Sequence, residues 1–162
     1  MKCVYLAGPD VFFPGAEQLA AEHKALCRKH GFEPLHPIDQ PTLTSENIFN
    51  TNIALLKRAD AVVANLNPFR GAEVDSGTAF EVGFAIARGI PVVGYLSGKE
   101  TVAERVERYC GPLAIIDGVV RDFEGNLVEN FGHPLNLMLA ESCTVVTGTL
   151  EDGLAILHSR LG

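Results

Sequence analysis

Residues 61–96 open with Ala61-Val62-Val63-Ala64-Asn65-Leu66, pass through Asn67-Pro68-Phe69-Arg70-Gly71-Ala72-Glu73-Val74-Asp75-Ser76-Gly77, and close with Pro91-Val92-Val93-Gly94-Tyr95-Leu96. The first and last stretches are short, flat and apolar, as strands buried on both faces are. Between them Thr78 to Arg88 reads as a helix ended by Gly89 and Pro91, with Phe80, Phe84 and Ala87 as its i, i+4, i+7 stripe. Strand, polar loop, helix, strand is the unit from which parallel sheets are built.

Working outward, the same alternation continues. Upstream, Thr44 or Ser45 can cap a helix running to about Arg58. Phe32 to Leu35 reads as a short strand, Ala16 to Lys29 as a helix stopped by Gly31, and Cys3 to Ala7 as a strand ending at Gly8-Pro9. Downstream, Gly98 to Leu139 is weakly periodic and reads as helix fragments and loops. Cys143 to Val146 reads as a last strand and Leu150 to Leu161 as a last helix. The fold expected is α/β: one domain over residues 1–162, flavodoxin- or Rossmann-like, with a mainly parallel sheet and helices on both faces.

Composition narrows the partners. The 162 residues carry 20 Asp+Glu against 13 Lys+Arg, a formal net charge of −7. Such a surface repels phosphate backbones and anionic lipid, so no nucleic-acid polymer and no membrane is expected as a partner. Mean hydropathy is +0.16, yet no apolar run approaches the ~18 residues of a membrane helix. The opening MKCVYLAGPDVFF is broken at Gly8-Pro9-Asp10, unlike a signal peptide, so the expected location is cytoplasmic. Cys3, Cys27, Cys110 and Cys143 form no Cys-x-x-Cys pair, and the five histidines form no His-x-x-x-His pair. Neither a metal site nor a disulfide framework is expected.

Ligands of open α/β sheets bind beyond the carboxyl ends of the strands. Three stretches fall there: Gly8 to Phe12, His36 to Gln40, and Asn65 to Glu81. None carries a dinucleotide fingerprint or a phosphate loop. Asp75, in the loop, and Glu81, in the first helical turn, could share a pocket and serve glycosyl transfer. Thr78-Ala79-Phe80-Glu81 equally fits a capping box, and spacing alone favours that plainer role. The helix dipole is expected to keep Glu81 ionised in either case. Asp39 and Gln40 could read the edge of a heterocycle or simply make a turn. Asp60 precedes its strand, at the wrong end for chemistry, and Ser76 lacks a nucleophile-elbow context.

Taken together, the segments resemble the nucleoside 2-deoxyribosyltransferase family. The resemblance rests on Val4-Tyr5-Leu6-Ala7-Gly8-Pro9 with Phe12, on Pro37-Ile38-Asp39, and on Asn52 to Leu66. It rests further on Pro68-Phe69-Arg70-Gly71, on Asp75 to Gly83, and on Phe131-Gly132-His133-Pro134-Leu135-Asn136-Leu137-Met138-Leu139. It implies that Glu81 is the nucleophile, that Asp75 holds the deoxyribose hydroxyls, and that Tyr5 orients Glu81. Gly8, Phe12, Asp39, Gln40, Asn52, Arg70 and Gly77 complete the expected substrate-binding set. Asn136 and Met138 are implied to act in a neighbouring subunit's pocket, which makes the enzyme a homo-oligomer. Some members carry Asp where this chain has Asn52, and a chain-end carboxylate can enter the neighbour's site. The implied substrates are deoxynucleosides and free nucleobases, with no metal or organic cofactor. The rival readings are a 2′-deoxynucleoside 5′-monophosphate N-glycosidase, for which Arg70 could grip phosphate, and a non-catalytic nucleoside-binding protein.

Overall fold

A computed structural model describes residues 1–39 and 44–161. Five strands form one sheet: β1 (Lys2–Ala7), β2 (Phe32–Leu35), β3 (Ala61–Asn65), β4 (Val92–Leu96) and β7 (Thr144–Thr147). Their order is β2-β1-β3-β4-β7, and every neighbouring pair is parallel. This is the flavodoxin-like order, in which chain direction across the sheet reverses between β1 and β3. The helices are α1 (Ala16–Lys29), α2 (Ser45–Arg58), α3 (Ser76–Ala87), α4 (Val102–Cys110), α5 (Leu137–Ser142) and α6 (Leu150–Leu161).

Strand alternation sorts the core into two layers. Val4 and Leu6 of β1 face α1 and α6, where they join Cys27, Phe32, Val63, Leu154 and Leu157. Tyr5 and Ala7 face the other way and join Leu56, Val62, Ala64, Val82 and Ala85 beneath α2 and α3. That parity is what carries the Tyr5 ring to the α3 side of the sheet. Gly94 in β4 has a packing reason: a Cβ there would strike the Leu66 side chain.

Helix α3 departs from the sequence reading in two ways. It begins two residues earlier, because Asp75 caps it: Oδ2 accepts from the Thr78 amide at 2.8 Å and from the Thr78 hydroxyl at 2.9 Å. Thr78 is therefore not the cap. The buried face is Thr78, Val82 and Ala85, whereas Phe80, expected in the apolar stripe, is 53% exposed and pairs with Phe49 of α2 at 6.2 Å. The helix is apolar around much of its circumference, so periodicity alone could not select the inward side.

The weakly periodic stretch holds more order than expected. Thr101 and Glu104 form a reciprocal capping box that starts α4. Strands β5 (Ala114–Ile116) and β6 (Val119–Arg121) pair as an antiparallel hairpin. Asp117-Gly118 turns it, with φ of 52° and 78°, the left-handed pair that a tight primed turn demands. Arg105, 3% exposed, then gathers three chain segments: its guanidinium donates to the carbonyls of Ala72 (2.8 Å), Glu100 (2.8 Å) and Pro134 (2.6 Å). Asp60, expected to be structural, accepts from the Cys3 amide at 2.7 Å at the amino end of the sheet.

Among the described residues no helix is long and apolar enough to cross a membrane.

Candidate active site

The reversal between β1 and β3 leaves a crevice at their carboxyl ends. Beyond β1 the chain passes through Gly8 into a 3-10 turn, Pro9–Phe12. A Cβ on Gly8 would press on the Asp10 carboxylate and lie 2.8 Å from Cβ of Asn65, so only glycine lets the turn fold this tightly over β3. Asp10 accepts from Asn65 Nδ2 at 3.0 Å. Asn65 Oδ1 in turn accepts from Asn67 Nδ2 at 2.7 Å, and Asn67 Oδ1 from the Ser97 amide at 2.9 Å. This polar chain ties together the ends of β1, β3 and β4.

The turn presents Val11 and Phe12 to a cavity of about 420 Å³. Pro37 and Ile38 after β2, Ile48 and Asn52 of α2, and Asp75, Gly77, Thr78 and Glu81 around the start of α3 line the rest. The walls are mainly apolar, and the polar groups converge at one end, as in small-molecule sites. Phe12 is backed by Phe69, stacked at 5.6 Å, and the Arg70 guanidinium lies 4.6 Å from the Phe69 ring centre and 5.2 Å from that of Phe12.

Glu81 stands six residues beyond the cap, inside α3. Its Oε1 accepts from the Tyr5 hydroxyl at 2.6 Å and makes a longer contact, 3.5 Å, with Asn52 Nδ2. Oε2 takes no hydrogen bond among the described residues. Burial pushes the Glu81 carboxyl up to about 7, the Tyr5 hydrogen bond pulls it down, and the neighbouring Asp75 pushes it up again. The expected dipole effect thus loses to desolvation, because it acts on the first turn and Glu81 lies past it. Tyr5 itself is pushed far above the ordinary phenol range by burial and by the Glu81 charge.

The cavity gathers Tyr5 (through Glu81), Gly8, Phe12, Asn52, Asp75, Gly77 and Glu81. It does not gather the others. Asp39 forms an ion pair with Lys24 of α1 and does not line the Glu81 cavity. Arg70 stands behind Phe12 and lines a separate open hollow with Asn136. Asn136 caps α5 by accepting from the Met138 amide at 3.0 Å and donates to Glu129 at 2.9 Å, while Met138 is 70% exposed. Neither lines the Glu81 cavity of its own chain. Gln40 and Gly162 lie outside the described residues. Val11, Pro37, Ile38 and Ile48 were missed as wall residues, since an apolar wall residue looks like any core residue until the backbone brings it to a mouth, and Thr78 was read only as a cap. Among the described residues no group of three His, Cys, Asp or Glu side chains could hold a metal ion.

The family profile for nucleoside 2-deoxyribosyltransferases matches residues 4–138, and the chain belongs to that family. The solved structure of a 2-desoxiribosyltransferase from Leishmania mexicana is similar over 100% of both chains, at 34% identity and a TM-score of 0.82. A conserved protein from Enterococcus faecalis shares the fold at 21% identity and a TM-score of 0.64, over 99% of both chains. An uncharacterized protein of Schizosaccharomyces pombe is 35% identical over 119 residues, 67% of this chain but only 56% of that relative's length.

Proposed function

We propose that this chain transfers a 2-deoxyribosyl group between nucleobases through a covalent ester on Glu81. The observation that carries the reading is the Glu81 carboxylate itself: Tyr5 holds Oε1, Oε2 takes no hydrogen bond among the described residues, and the pair faces an apolar cavity of nucleoside size. In this reading Oε2 attacks C1′ as the glycosidic bond breaks, and positive charge builds on the sugar in the transition state. The lack of a 2′-hydroxyl makes that charge less costly. A second base then displaces Glu81 from the same carbon, and two inversions leave the configuration unchanged.

The neighbouring groups take their parts from position. Asp75, fixed by its bonds to Thr78, lies beside Glu81 to hold the sugar hydroxyls, with Gly77 leaving room. Phe12, Val11 and Ile38 flank the base. Tyr5 keeps Oε1 occupied and eases ionisation of a carboxyl that burial opposes. Residues 1–162 act as one domain. Because Asn136 and Met138 do not line the Glu81 cavity of their own chain, a homo-oligomer in which they enter a neighbour's site is part of the proposal, as are deoxynucleosides and free bases as substrates and the cytoplasm as location.

The monophosphate hydrolase has less support. Arg70, the cation expected to grip phosphate, is stacked over Phe69 and Phe12 outside the cavity, and Asp10 adds a carboxylate to the turn where a phosphate grip would be needed. The test is incubation with thymidine and adenine, and separately with 2′-deoxycytidine 5′-monophosphate. Deoxyadenosine in the first mixture supports the transferase. Free base from the monophosphate alone would transfer the case to the hydrolase, and tight nucleoside binding without either reaction to a binding protein.

A further inference from the structure

A second, much smaller cavity lies on the α1 and α6 side of the sheet, behind the turn that carries Val11 and Phe12. It measures about 10 Å³ and is lined by Asp10, His23, His36 and Tyr95 together with Leu6 and Leu150. Val11 and Gly8 line both this cavity and that of Glu81. The volume is about what one water needs, and a buried water also needs roughly two to four polar partners. The partners are present. His36, 4% exposed, accepts from the Ile38 amide through Nδ1 at 3.1 Å. Burial pushes its pKa down to about 4, with Lys24 adding to the shift, so the ring is neutral and its one N–H is Nε2. That N–H donates to no other described residue. Asp10 gives Oδ1 to Asn65 at 3.0 Å, and its Oδ2 accepts from no other residue among those described. The Tyr95 hydroxyl, on a residue 8% exposed, likewise has no partner among them. Asp10 and His36 share the cavity without a direct hydrogen bond or ion pair. Each immediately precedes a wall of the Glu81 cavity: Asp10 comes before Val11 and Phe12, and His36 before Pro37 and Ile38.

We propose that this small cavity binds a single water that accepts from His36 Nε2 and donates to Asp10 Oδ2, and that Asp10 and His36 are positioning residues which, through that water, hold two walls of the Glu81 cavity at a fixed spacing. Tyr95 and His23 supply its remaining partners. A water-mediated bond is nearly as good as a direct one, so the bridge ties the turn after β1 to the segment after β2. Neither side chain touches the nucleoside; each acts through the residues that follow it. The positioning role rests on the transferase reading, whereas the water site itself does not.

The experiment combines a high-resolution crystal structure of the intact protein with exchange kinetics for thymidine and adenine. The expected density is one ordered water within hydrogen-bonding distance of both Asp10 Oδ2 and His36 Nε2. His36→Asn keeps an acceptor for the Ile38 amide but loses the Nε2 donor, and Asp10→Asn keeps Oδ1 for Asn65 but loses the Oδ2 acceptor. Each should raise KM for thymidine by about tenfold with kcat little changed. Because both act through one water, the double variant should match either single variant rather than reach about a hundredfold. No water there, a water bonded to only one of the two, or independent effects on KM would overturn the proposal. If a variant fails to fold, the water in the unaltered protein decides alone. A water in place in a protein that exchanges no bases would overturn the transferase reading and leave the water site standing. Exchange without the water would overturn only the bridge.

Discussion

The Tyr5 hydroxyl donates a 2.6 Å hydrogen bond to Oε1 of Glu81, joining residues 76 positions apart in sequence. Tyr5 reaches it from the central part of β1, and Glu81 from the middle of α3. Two regular elements, not loops, therefore set the direction of the carboxylate, which favours a rigid nucleophile.

Removing that bond should be costly in a specific way. Tyr5→Phe leaves the ring in the core but takes away a donor to a charged group, worth about 1.5–3 kcal/mol. The pH at which activity is half-maximal should rise by about one to two units, since the bond lowers the Glu81 pKa. Values of kcat at neutral pH should fall with KM little changed. An unshifted pH profile would show that the bond does not control ionisation.

Glu81 should also trade stability for function. Its pKa rises from 4.5 in the unfolded chain to about 7 in the fold, so the native state holds the proton longer. Its contribution is most favourable below 4.5 and is lost as pH rises from there through about 7. Glu81→Gln, which keeps an acceptor for Tyr5, should be inactive yet more stable above that window by about 2–3 kcal/mol, and nearly equal to the parent below it. Denaturant melts of both proteins on either side of the window measure this directly.

Gly8→Ala tests the shape of the turn. The added methyl meets Asp10 and Asn65, so the turn carrying Val11 and Phe12 has to shift. KM should rise by about tenfold or more while the sheet persists. Kinetics together with circular dichroism distinguish this outcome from unfolding.

Arg105→Met probes the junction that α4 makes with three chain segments. It removes the donor shared by the carbonyls of Ala72, Glu100 and Pro134. A loss of about 3 kcal/mol is expected in denaturant unfolding, chiefly from stranded acceptors.

The proposed sharing of sites predicts complementation. Glu81→Ala and Asn136→Ala proteins, each inactive alone, should recover activity when mixed and reassembled. For random pairing in a dimer the recovery is about a quarter of the parent value. A mixture that stays inactive would mean that Asn136 serves its own chain.

Much of this was legible in the sequence, and the exceptions have physical causes. Helices α1 and α6 and strand β2 fall at the bounds that periodicity and stop residues set. The alternation made the parallel α/β class legible but not the order β2-β1-β3-β4-β7, because flavodoxin-like and Rossmann-like sheets share that alternation. The start of α3 was misplaced because Asp75, Ser76 and Thr78 can all cap, and only tertiary placement chooses among them. The hairpin at Asp117-Gly118 had a recognisable turn signal, but its strands are three residues long, β5 exposed and β6 half-buried throughout, so neither alternates. At the site, the carboxylates were visible as candidates. The Tyr5 contact was implied only by family resemblance, since no local pattern links a strand interior to a helix interior. The Glu81 ionisation was misread because burial depends on the walls contributed by α2 and the Pro9–Phe12 turn, which are distant in sequence.

The central claim is a covalent bond between the sugar and Glu81. The most direct measurement is mass spectrometry of the protein after exposure to a 2′-fluoro-arabinosyl nucleoside, whose electron-withdrawing substituent slows loss of the intermediate. The account predicts a single adduct with the mass of the fluorinated sugar, mapped by peptide fragmentation to Glu81 and absent from Glu81→Gln. An adduct on another residue, or base exchange at full rate by Glu81→Gln, would contradict it.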